Sequence, residues 1–219
     1  MKKILILIRQ PGLLEFLLPY LKKNAIKKKN NIIILTNTKI KKTLFEKKIR
    51  IYKVYNLNID LKNNIHYLIY SWKPHIIFMG ANYVKKFKEF YDSSLVYLAK
   101  KNNIKLIQCI EASYDYSLRI KETNQIRVFP NKLLLINNTS KIEAVKEGVH
   151  KNIIKIVGHP GWENIRPNTI QNYKNILFIN QPLKNDFGFS LGFTETDVWK
   201  MVYSVFNKNK NKFDNLFWI

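Results

Sequence analysis

Ile153-Ile154-Lys155-Ile156-Val157-Gly158-His159-Pro160-Gly161-Trp162-Glu163-Asn164 is the stretch on which the architecture turns. It reads as a short buried strand that stops at a glycine and then breaks at a His-Pro-Gly turn. Pro160 has no backbone donor and pushes His159 toward an extended conformation, so neither strand nor helix passes through. A new segment, Asn172 to Pro182, opens with another apolar run, Ile176-Leu177-Phe178-Ile179. Upstream, strand and helix signals alternate through a complete series; downstream the series restarts. Residues 158–171 therefore read as a crossing, with one domain over 1–165 and the start of a second over 172–219.

Upstream, Ile4–Ile8 is a continuous apolar run, the pattern of a strand buried on both faces of a parallel sheet. Arg9-Gln10-Pro11-Gly12 turns the chain into a helix from Leu13 to Lys23, with Pro19 inside it and a kink expected there. Ile32–Leu35 reads as the second strand, 39–48 as an exposed lysine-rich helix, and Ile51–Tyr55 as a weaker third strand. A helix over about 59–72 leads to Lys73-Pro74 and a strand His75–Met79, followed by Gly80-Ala81-Asn82. Val84, Phe87, Tyr91, Leu95 and Leu98 recur every three or four residues, the stripe of an amphipathic helix. Ile104–Ile110 reads as a strand ending at Glu111, and 112–131 as a loop. Leu133–Ile136 is the next strand. Ser140-Lys141-Ile142-Glu143 has the form of a capping box, and Gly148 that of a helix stop. Strands separated by helix-length segments require right-handed crossovers and a covered parallel sheet. The fold class is α/β: a doubly wound, Rossmann-like parallel sheet of about six or seven strands, with a second α/β domain that is incomplete.

In the second domain a helix opens at Thr194-Glu195-Thr196-Asp197 and offers Val198, Trp199, Val202, Tyr203 and Phe206 as its apolar face. Residues 213–219 read as another strand, so this domain looks unfinished. Trp199, Tyr203, Phe206, Phe217, Trp218 and Ile219 are then expected to be exposed or to pack elsewhere.

Lys+Arg number 38 against 15 Asp+Glu, a net charge of +23. Such a balance suits nucleic acid or an anionic surface. Only five of the 38 are Arg, whose planar fork is the usual reader of bases and phosphates, so a nucleic-acid partner is not expected. Residues 21–50 concentrate eleven Lys/Arg against Glu46 alone, a candidate peripheral contact with an anionic membrane. The single cysteine, Cys109, excludes an internal disulfide and a cysteine-cluster metal site. The five-residue apolar run at Ile4–Ile8 is too short for a signal peptide, and no stretch reaches the ~18 apolar residues of a membrane span. The expected location is cytoplasmic, peripheral to the inner membrane face if the lysines engage it.

Open parallel sheets bind ligands beyond the carboxyl ends of their strands. That rule selects Arg9, Gln10 and Gly12, then Gly80 and Asn82, Glu111, Asn137–Ser140, and Gly158–Gly161. Glycine there lets backbone approach a ligand, or serves only a turn. Glu111 is a candidate general base, or equally a helix cap. His159, at the crossing, is a candidate ligand-orienting residue, or turn filler. His66, His75 and His150 have no metal-ligand spacing, and no metal or cofactor is expected. Glycine-rich dinucleotide, P-loop, serine-hydrolase and zincin motifs are absent from the sequence.

The order of several short runs resembles the N-terminal domain of GT-B-type sugar-nucleotide enzymes, UDP-N-acetylglucosamine 2-epimerases in particular. Lys73-Pro74-His75 through Gly80-Ala81-Asn82, Ile110-Glu111-Ala112, Glu147-Gly148 and Val157-Gly158-His159 stand where that family carries KPD…HGDT, HVEAGLR, EG and TGN. The opening is similar to T-R-P-E, with Gln10 between Arg9 and Pro11. The family's aspartate falls on Ala81, its histidine on Cys109 and a glycine on Ser113, and P-E-E-x-N-R has no counterpart. Those departures favour a related glycosyltransferase of surface-polysaccharide or glycan synthesis over an epimerase. The resemblance implies a nucleotide-sugar donor, a glycan or lipid-linked acceptor, Glu111 as base, Arg9, Gln10, Gly12, Gly80 and Asn82 at the acceptor cleft, and His159 at the hinge. A non-catalytic sugar- or lipid-binding domain is the remaining alternative.

Overall fold

The computed structural model describes residues 1–27, 30–49, 53–56, 65–81, 90–110, 116, 122–123, 126–162, 175–179, 192–212 and 215–218. The chain divides into two compact units, Met1–Ile165 and Arg166–Ile219.

The first unit is organised on one sheet of seven strands in the order β3-β2-β1-β4-β5-β8-β9. These are β1 (Lys2–Ile8), β2 (Asn30–Thr36), β3 (Lys53–Asn56), β4 (Ile76–Gly80), β5 (Lys105–Ile110), β8 (Lys132–Leu135) and β9 (Ile154–Ile156). Every neighbouring pair is parallel. A short antiparallel pair, β6 (Glu122–Thr123) and β7 (Ile126–Arg127), occupies part of the stretch expected to be loop. Period-2 readout could not find it, because two residues carry no period.

The middles of the central strands are mostly apolar because both faces are covered. Ile4, Ile6, Ile8, Ile32 and Ile34 pack with α1 (Pro11–Lys27) and α2 (Thr38–Glu46). Leu5, Leu7, Ile33, Leu35, Ile77 and Met79 pack on the other face with Leu95, Val96 and Ala99 of α3 (Phe90–Lys101). Each such side chain contributes roughly 1.5–3 kcal/mol by leaving water. The chain order places the earliest crossovers on one face and the later ones on the other. β1 is thus where the strand order reverses.

Three boundaries differ from the sequence reading. α1 begins at Pro11, whose fixed φ and missing N–H suit a first helical position, and runs to Lys27 without a glycine to stop it. α4 (Asn138–Lys146) is capped by Asn137, whose Oδ1 accepts from the Ser140 N–H at 2.7 Å; Ser140 is a buried third-position residue and not the cap. The strand expected to be buried over 153–157 is the sheet-edge strand β9, where Lys155 and Ile156 are exposed. An apolar run signals a strand without saying how many neighbours it has.

In the second unit β10 (Asn175–Phe178) and β11 (Asn215–Trp218) form a parallel pair. α5 (Glu195–Lys208) starts from Thr194, whose N–H and hydroxyl both donate to Asp197 Oδ2 at 2.8 Å. Those bonds hold the Asp197 carboxyl below the usual carboxylate range. Val198, Trp199 and Val202 are half-buried and Phe206 is buried, the expected stripe, while Tyr203 is exposed. The side chains of Phe217, Trp218 and Ile219 lie outside the described residues.

Candidate functional site

β1 lies between β2 and β4, and the strand order reverses between β1 and β4, the place where open parallel sheets take ligands at their carboxyl edge. The register aligns Ile8 with Thr36 and Leu7 with Met79, so β1 and β4 end at about the same height. Arg9, Gln10 and Gly12 follow β1, and Gly80 is buried at the end of β4. Asn82 and Glu111 follow β4 and β5 directly and lie outside the described residues.

The Arg9 turn is held by two side chains that the sequence reading passed over. Thr36 is fully buried, and its hydroxyl donates to the Ile8 carbonyl at 2.7 Å, where the ladder of β1 runs out. Asn37 donates from Nδ2 to the Arg9 carbonyl at 3.1 Å and accepts at Oδ1 from the Ile40 N–H at 2.9 Å. One residue therefore caps α2 and fixes the loop after β1. The signal was present: Thr36-Asn37-Thr38 directly after an apolar run is a strand end followed by a helix cap. Asn137 repeats the cap after β8.

Helices α1, α2 and α4 all begin at this edge. Their first N–H groups point outward, and their dipoles favour an anion. The arrangement suits a phosphorylated or otherwise anionic ligand beyond the strand ends.

His159 is packed against α1. Its ring stacks on Trp162 at 4.1 Å and 15°, and meets Phe16 edge-on at 5.4 Å. Its Nδ1 is buried and has no hydrogen-bond partner among the described residues. Gly161 brings the turn onto the helix so closely that a Cβ there would sit 2.7 Å from the Glu15 carbonyl oxygen. Gly158 adopts φ +70, which a side-chain-bearing residue resists.

Ala81 and Cys109 are adjacent and buried, with the Ala81 N–H donating to the Cys109 carbonyl at 2.9 Å. Neither side chain is a carboxylate or an imidazole, so these two positions supply no acid–base pair. Among the described residues no group of His, Cys, Asp and Glu could hold a metal ion, and no helix is long and apolar enough to cross a membrane. Within the lysine-rich stretch, Lys47 pairs with Glu15 at 3.0 Å and Lys42 with Glu46 at 4.0 Å.

No protein-family model matches the chain, and no curated protein matches it. Solved structures do. The S. aureus MnaA co-structure with UDP is 16% identical with a TM-score of 0.63, covering 100% of this chain and 62% of that one. A Listeria monocytogenes protein assigned as a UDP-N-acetylglucosamine 2-epimerase gives 12% identity and a TM-score of 0.59, covering 99% and 61%. A further UDP-N-acetylglucosamine 2-epimerase gives 12% and 0.56, covering 99% and 63%. The chain thus spans about three-fifths of the length of these structures. At such identities the likeness establishes the fold alone: over the part it covers, the chain shares the α/β architecture of these structures.

Proposed function

We propose that the chain is a glycosyltransferase-like protein of surface-polysaccharide or glycan synthesis that uses a nucleotide-sugar donor. In this reading the first unit carries the acceptor side and the second belongs to the donor side. The observation that carries it is the reversal of strand order between β1 and β4, with Gly80 ending β4 and Gly12 in the first turn of α1, in a seven-stranded parallel sheet. The glycines give backbone access, the helix start favours phosphate, and Arg9 supplies a bidentate donor. Glu111, the residue after β5, is the base that would take the proton of an acceptor hydroxyl, and Asn82 is a candidate residue of the acceptor cleft. His159, braced by Phe16 and Trp162, would support the cleft wall and not reach across it.

An epimerase is the second reading, supported by the names of the structural neighbours. The apolar pair Ala81 and Cys109, where that resemblance needs an acid and a histidine, weighs against it. Exposed lysines such as Lys39 and Lys42 on α2 would allow a peripheral contact with anionic lipid on the cytoplasmic side.

Isothermal titration with UDP tests the assignment of roles. The 219-residue chain is expected to bind UDP weakly and to turn over no UDP-sugar. Tight stoichiometric binding would put the nucleotide site in the first unit and overturn that division. No binding of UDP or any UDP-sugar at millimolar concentration would remove the nucleotide-sugar reading altogether.

A further inference from the structure

The opposite, amino-terminal end of the sheet holds a cavity that this reading does not use. Its walls include Asn30 and Asn31 at the start of β2, Lys53 and Tyr55 on β3, and Tyr67 and Trp72 ahead of β4. Its volume is about 400 Å³, within the roughly 300–1,000 Å³ of ordinary small-ligand pockets.

Two features single it out. The segment Leu68–Trp72 is wound as a π-helix, a rare form concentrated at functional sites, and it ends on Lys73 in the left-handed region at φ 53. Such backbone persists only where its surroundings hold it, and Lys3 Nζ does so by donating to the Trp72 carbonyl at 2.9 Å. The winding sets Trp72 and Tyr67 on the cavity, and Tyr67 remains 55% exposed.

The second feature is the frame around Asn30: Asn24 Nδ2 donates to the Asn30 carbonyl at 3.3 Å, and the Asn30 N–H donates to Asn24 Oδ1 at 3.1 Å.

We infer that this cavity binds a saccharide, one or two pyranose rings in length. A pyranose has an apolar C–H face and a polar rim of hydroxyls. The aromatic wall matches the face; Asn31 and Lys53 match the rim. Among the described residues no Asp or Glu lines the cavity, which fits a neutral or anionic sugar and not a cationic ligand. The site lies at the other end of the strands from the carboxyl edge, so it holds glycan without doing chemistry on it, and it stands or falls independently of the transferase reading.

Saturation-transfer NMR on the full chain, with N-acetylglucosamine and its β1,4-linked dimer as probes, tests it. Transfer to the ring C–H protons is expected, with affinity at least about tenfold weaker in Tyr67→Ala and weakened in Asn31→Ala. Both residues are exposed, so the variants keep the fold. Tyr97→Ala, an exposed aromatic on α3, is expected to change nothing, as is saturating UDP. The proposal is overturned if neither sugar shows transfer, if binding survives Tyr67→Ala unchanged, or if UDP displaces the sugar.

Discussion

In the first unit Leu5, Ile34 and Leu35 are sealed from solvent on either side of the sheet, whereas in the second Met201 and Val205 of α5 stand 71% and 63% exposed. Both units use the same parallel pairing. What differs is how many strands share the cost of ordering the chain. Seven strands give central positions covered from above and below. Among the described residues the second unit pairs two strands, each with one neighbour, and such a pair is marginal without further packing. Regular secondary structure alone therefore says little about how firmly a region is held.

Amide hydrogen exchange reads that contrast most directly. Amides of β1, β2, β4 and β5 are expected to exchange only through global opening, and those of β10 and β11 on the order of 1,000-fold faster. Equal protection would mean that the second unit is stabilised by burial outside the described residues. Point substitutions sharpen the contrast. Ile34→Ala should cost about 2–5 kcal/mol in urea unfolding, and Val205→Ala should stay within about 0.5 kcal/mol.

Gly161→Ala probes the seam between α1 and the turn after β9. Its Cβ meets a backbone carbonyl, which cannot swing aside, so a loss of about 1–3 kcal/mol is expected in the same assay. A neutral result would show that the turn lifts off α1 easily. The smallest effect concerns Asp197. Its folded-state pKa is lowered, so its contribution to the start of α5 is present above the ordinary carboxylate range and fades as pH falls through the lowered value. The Thr194 amide resonance should follow that titration, and Asp197→Asn should flatten it.

The parallel sheet was legible because Ile4–Ile8 and Ile32–Leu35 are apolar at every step, which only a strand covered on both faces tolerates. The edge position of β9 was not, since its Ile-Lys-Ile text looks the same with one neighbour as with two. The strand ends at Ile8 and Gly80 followed from the apolar runs that precede them. Thr36 and Asn37 did not, because their role is to bond residues 28 positions earlier in the chain. Sequence spacing carries helix and strand periods well and long-range hydrogen bonds hardly at all. The Asn137 cap was missed for a nearer reason: Ser140 and Glu143 offered a competing pattern one turn later.

Cys109 sits beside Gly80 in the middle of the sheet, sealed on β5, and is the only thiol in the chain. A buried thiol cannot meet an alkylating reagent until the strands around it part. The rate of modification under native conditions is thus a clock for the opening of β4 from β5, readable by mass without any introduced label. Ligands at the carboxyl edge should slow that clock, and ligands at the far cavity should slow it only as far as they stabilise the whole sheet.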